Sequence, residues 1–78
     1  MTKYDDPVEV RRGETEGPDQ FLWRGRLWKV RAVLAHWAVA GRELWRVEAG
    51  RGRADGAGVF ELSCDGTDGR WLLVGSSD

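Results

Sequence analysis

Only a few residues in this chain have side chains able to do chemistry, and their spacing argues against most of it. His36 is the sole histidine and Cys64 the sole cysteine. An imidazole acting as a general base needs a second group to orient or use it. The residues around His36 are Ala, Val, Leu and Trp37, so the ring reads as packed or half-exposed. Ser63-Cys64-Asp65 has the residue types of a nucleophile cluster. On a strand, however, Ser63 and Cys64 point to opposite faces, and no base stands near. Cys64 has no C-x-x-C partner for a zinc site and no partner for a disulfide, so it reads as a small buried apolar residue. Gly50–Gly58, GRGRADGAG, contains G-x-G but lacks the G-K-[ST] ending of a phosphate-binding loop, and no helix follows it. Asp65 and Asp68 lie in DGTDG, too short for a calcium loop and without its closing Glu. No catalytic residue, metal ligand or cofactor is expected.

Aromatic rings interleaved with cations are the remaining candidate. Trp23-Arg24, Arg26-Leu27-Trp28-Lys29, Trp45-Arg46 and Arg70-Trp71 recur along the chain. Small β-barrels bind single-stranded nucleic acid with such residues, the rings stacking on bases and the cations meeting phosphates. Alternation gives the plainer reading, with rings inward and their cationic neighbours in water. That reading suits Trp28 and Trp45. Trp23 and Trp37 sit where the pattern bends. The candidate contact residues are Trp23, Arg24, Arg26, Lys29, Arg31, Trp37 and Arg46, for a protein or a single-stranded nucleic acid.

The elements that must carry these residues read as strands. Phe21–Trp37 is nearly a palindrome about Gly25, which makes Phe21–Trp23 and Arg26–Leu34 a hairpin turning at Arg24-Gly25. On its long arm Trp28, Val30, Ala32 and Leu34 are expected inward, Lys29 and Arg31 outward. Pro7–Arg12 alternates Val8 and Val10 with Glu9 and Arg11, and its leading Pro7 suits an edge. Gly13–Asp19 reads as a loop. Ala35–Gly41 breaks the alternation. It either continues a strand through a bulge or makes one short helical turn near residues 35–40, ending at Gly41. Leu44–Ala49 points Trp45, Val47 and Ala49 inward. Gly50–Gly58 is expected to be a mobile loop. Val59–Cys64 points Phe60, Leu62 and Cys64 inward, Asp65–Gly69 turns, and Arg70–Val74 is the last strand. The expected fold is all-β: an antiparallel meander of about five to six strands, curled into a barrel or a sandwich. Residues 1–6 read as a frayed end, 7–75 as one β domain and 76–78 as a tail.

With 78 residues the core must come from large side chains, and five Trp fit that need. The net charge of −1 conceals a segregation. Residues 1–20 carry three cations and six anions, 21–53 eight cations and two anions, and 54–78 one cation and five anions. Either the acidic flanks fold back on the basic centre, or the centre is a face for a polyanion. No apolar run is long enough for a membrane span, and the N-terminus lacks a signal segment, so a cytoplasmic place is expected.

Trp23-Arg24-Gly25-Arg26-Leu27-Trp28-Lys29-Val30 with Val33-Leu34 and Trp37, then Trp45–Ala49, Gly58–Leu62 and Gly69-Arg70-Trp71-Leu72-Leu73, resemble the ordered motifs of an uncharacterised family of short actinobacterial proteins. The W-R-V-E-A and G-x-W-x-L segments also look like the C-terminal tails of Y-family DNA polymerase-like mutasome proteins. The resemblance implies a small interaction module near DNA repair and transfers no catalytic residue. Glycine-rich Gly50–Gly58 departs from it. The expectation is a non-enzymatic binding module, monomer or homodimer. The alternative is an accessory or structural subunit that self-associates through an exposed strand edge.

Overall fold

In the computed structural model, which describes residues 2–14, 17–51 and 57–77, the chain forms six antiparallel strands. They are β1 (Thr2–Arg12), β2 (Pro18–Trp23), β3 (Arg26–Val39), β4 (Arg42–Gly50), β5 (Gly58–Asp65) and β6 (Trp71–Ser76). Each pairs with its neighbour in sequence, and β6 pairs with β1, so the sheet closes into a barrel and not a sandwich. Alternation supplies the core. Phe21 and Trp23 from β2, Trp45, Val47 and Ala49 from β4, Phe60, Leu62 and Cys64 from β5, and Leu73 from β6 are all buried. Tyr4, Val8, Val10, Trp28, Val30 and Trp71 pack against them from the wall. The Trp28 ring touches Phe60 at a 4.9 Å centroid distance, and Phe21 meets Phe60 edge-on at 5.5 Å.

Two hairpins turn through paired left-handed residues. Arg24 and Gly25 have φ of 51° and 75°, and Ala40 and Gly41 have 52° and 80°. Two such residues give the two-residue turn whose twist matches that of the flanking strands. The first turn falls where the palindrome about Gly25 places it. The second resolves Ala35–Gly41: the segment stays in a strand to Val39, and no helical turn forms.

Several boundaries differ from the sequence reading. β1 begins at Thr2 and not at Pro7. Thr2 and Lys3 pair with Ser76 and Gly75, because closing the barrel needs a long first strand. Pro7 lies inside β1, where pairing with β2 has not begun; that ladder runs from Glu9 and Leu22 to Arg12 and Pro18. At Pro7 the strand is paired on the β6 side alone, opposite Leu72, so one side of it has no ladder for a missing N–H to interrupt. Pro18 and Asp19 belong to β2 and not to the preceding loop. β6 runs to Ser76, which is fully buried and not part of a tail. Of the expected loop Gly50–Gly58, Gly50 closes β4 and Gly58 opens β5; residues 52–56 lie outside the described residues.

The largest correction is in β3. Its register against β4 shifts between Val30 and Ala32 and again between Val33 and Ala35. Each bulge inserts one residue and breaks the period of two. Trp28 and Val30 face the core as expected, but Ala32 is exposed and Leu34 is 52% exposed.

Candidate partner-binding edge

The stagger that closes the barrel leaves β3 unmatched along half its length. Following the register outward from Trp37 leads to Leu44, Ser63, Leu72 and then Pro7. Pro7 lies two residues beyond Glu9, the partner of Leu22, and so stands level with the β2–β3 turn. The path spirals back to the start of β3 and misses Trp37, as the shear of a small barrel requires. Among the described residues β2 pairs with β3 only from Arg26 to Lys29, whereas β4 pairs with it from Lys29 to Val39. From Ala32 to Val39 the strand therefore has its ladder partner, among the described residues, on the β4 side only. Val33, Leu34 and Val39, three of the five exposed large apolar side chains, lie on this stretch. The other two, Leu22 and Leu27, face each other across the first hairpin.

The candidate contact residues do not gather in one place. Trp23 is only 7% exposed, which corrects its assignment as a stacking ring. Its Nε1–H donates to Asp6 Oδ2 at 2.9 Å, and Tyr4 packs on it edge-on at 5.3 Å. The Arg24 guanidinium lies over the Trp23 and Tyr4 rings at 4.9 and 5.0 Å and donates to the same Asp6 oxygen at 3.2 Å. Arg26 is exposed beside them and joins Tyr4, Trp23, Arg24 and Trp28 around a hollow of about 420 Å³ at this end of the barrel. Lys29 is exposed further along β3, opposite Gly50. Arg31 lies across Gly50, so closely that a Cβ there would fall 2.8 Å from Nη2. Trp37 is half-buried near the far end, with the Arg46 guanidinium over its ring at 5.6 Å. Arg46 also holds Glu61 Oε2 through Nη2 at 2.6 Å and Nε at 3.0 Å. Eight residues of strand separate Lys29 from Trp37, roughly 25 Å. Arg24 and Arg26 thus stand at one end of the molecule, and Trp37 with Arg46 near the other.

Acids from both flanks meet the basic centre. Asp6 pairs with Arg24, Glu61 with Arg46, and Asp65 with Arg42 at 4.0 Å. These pairs favour the reading in which the flanks fold back on the centre.

The second hairpin also brings together a group that the sequence reading missed. His36 pairs with Trp45 across β3–β4, and the two rings stack at 3.5 Å and 8°. His36 Nε2 lies 3.2 Å from Glu43 Oε1. A carboxylate therefore stands beside the histidine, contrary to its apolar sequence neighbours. Reading Ala40-Gly41 as a hairpin turn would have exposed the pairing. Cys64 is buried, as its lone occurrence suggested, with Arg12 Nη2 at 3.7 Å from Sγ. Among the described residues no three of His, Cys, Asp and Glu converge as metal ligands. Among the described residues no helix is long and apolar enough to cross a membrane.

Fold and edge together define a small closed antiparallel barrel with one strand half open. The model of a domain of unknown function, DUF6504, matches residues 1–42, and the chain belongs to that family. The match takes in β1, the W-R-G-R hairpin and β3 with its open half, and leaves out the W-R-V-E-A and G-x-W-x-L segments. No curated protein and no solved structure matches the chain.

Proposed function

We propose that this chain is a non-enzymatic binding module that accepts an extended segment of a protein partner as an added strand along β3. The observation that carries the reading is the run Ala32–Val39, which among the described residues has a ladder partner on the β4 side only and holds Val33, Leu34 and Val39 exposed. A strand edge presents unpaired N–H and C=O groups, and main-chain pairing supplies affinity while side chains of alternate residues supply selectivity. Natural edges are normally blunted by charge; here residues 32–41 carry no formal charge.

The single-stranded nucleic acid reading has less support. Arg24 and Arg46 are paired with carboxylates, Trp23 is buried, and the remaining cations are spread along the barrel. A cytoplasmic place, an actinobacterial source and a link to DNA repair belong to this proposal and rest on the sequence alone.

The test is a displayed library of random nonapeptides selected against the whole chain. The reading expects enrichment of uncharged, proline-free alternating sequences whose binding slows amide exchange at residues 35–39. Protection around Tyr4, Arg26 and Trp28 instead would move the site to the hollow. Fluorescence anisotropy with a labelled single-stranded oligonucleotide is expected to show no binding at tens of micromolar protein. Binding there, with a log–log salt slope near −2 for about three phosphate contacts, would favour nucleic acid.

A further inference from the structure

We infer that the strand taken up on this edge is β3 of a second copy of the chain, paired antiparallel about a two-fold axis through Trp37. The inference rests on reading the β3 edge as a docking surface, and it names the occupant. Three features carry it.

The first is length and charge. Residues 32–41, between Arg31 and Arg42, form the longest uncharged run in the sequence. A segment that pairs along it with no buried lone charge must itself be uncharged, and this chain supplies one in its own β3.

The second is register. Beyond the bulge between Val33 and Ala35, residues 35–39 pair regularly with Arg46, Trp45, Leu44, Glu43 and Arg42, so this is the part of the edge straight enough to extend. An axis through Trp37 sets Ala35 opposite Val39 of the second copy, His36 opposite its Ala38, and the two Trp37 residues side by side. Small residues meet larger ones, and no two like charges are opposed. An axis one residue away, through His36, would set the two imidazoles against each other.

The third is the surface itself. Ala35, Trp37 and Val39 share the outer face, and Val39 is 52% exposed. Pairing two such edges covers these groups and joins the outer faces of two barrels into one sheet. An edge of five residues is short, so the dimer is weak and concentration-dependent, at the small end of protein interfaces.

The experiment is sedimentation velocity on the intact chain from about 5 to 500 µM, with circular dichroism to confirm that each variant keeps its β spectrum. The native sequence is expected to pass from monomer to dimer across this range. The double variant Ala35→Lys with Val39→Lys sets lysines opposite each other twice per dimer and should remain a monomer. Ala35→Glu with Val39→Lys sets opposite charges in the same places and should restore the dimer. Leu22→Lys, on an exposed apolar residue of the other hairpin, should leave association unchanged. A native chain that stays monomeric at the highest concentration overturns the inference. So does a dimer that survives the double lysine variant, or one that the charge swap fails to rescue. If the chain stays monomeric while selected nonapeptides still protect residues 35–39, the second copy is ruled out and the edge remains the site of another protein. If neither occurs, both readings fall.

Discussion

Among single residues, Ala40 and Asp65 show how the turns are held. Ala40 has a Cβ yet sits at φ 52°, in the left-handed region that L-residues other than Gly, Asn and Asp resist. Asn in its place should relieve that strain and stabilise the chain by ~0.5–1 kcal/mol, read as a Tm rise of roughly 3–6 °C. An unchanged or lower Tm would mean that Ala40 makes a contact worth more than its strain. Asp65 Oδ1 accepts the Thr67 backbone N–H at 2.7 Å. That bond holds its carboxyl below the ordinary aspartate value; burial opposes it, and the Thr67 hydroxyl, Arg42 and the Asp68 backbone assist. A carboxyl whose folded pKa is depressed stabilises the fold above its unfolded value, near 4, and loses that contribution as the pH falls through its folded value. Asp65→Asn should therefore lower Tm at neutral pH and flatten its decline below about pH 4. Parallel pH profiles for the two proteins would contradict this.

Strands β4 and β5 were legible in the sequence because their rows Trp45-Val47-Ala49 and Phe60-Leu62-Cys64 alternate cleanly with polar residues. The Arg24-Gly25 turn was legible for the same reason, since the residues around it mirror one another. β3 was not. Its second half uses Ala, Val and Leu on both faces, so the composition carries no mark of the two bulges. Ala at the first turn position hid the Ala40-Gly41 hairpin, and with it the pairing of His36 with Trp45 and Glu43. The ends of β1 and β6 were lost because Asp5, Asp6 and the serines look like a solvated terminus, although Asp6 is the acceptor for the buried Trp23. The candidate site was legible only as residue types. Which cations were paired depended on β1 and β5 lying beside the centre, a matter of closure and not of local pattern. One contact locks the two turns at this end of the barrel. Gly66 N–H donates to the Gly41 carbonyl at 2.9 Å, and a Cβ on Gly66 would fall 2.7 Å from that oxygen. Gly66→Ala must push the β5–β6 turn off the β3–β4 turn, at a cost of roughly 1–3 kcal/mol. Urea unfolding should show a lower midpoint with an unchanged slope; an unchanged midpoint would mean that the turns move independently.

On the scale of the whole molecule, closure and shear have opposite consequences. Closure removes most strand edges and buries the aromatic core. The stagger that closure demands leaves β3 running past β2, and the exposed apolar residues of that run are the ones a partner strand would cover. Residue-resolved amide exchange on dilute protein, below any association, tests this most directly. β5 is paired on both sides, so Leu62 and its neighbours should be protected throughout. From Ala35 to Val39, amides directed at β4 should be slow, and those directed away from it should exchange nearly as fast as in an unfolded chain. Uniform protection from Ala35 to Val39 in the dilute monomer would show the edge already covered by the chain itself and would contradict the account.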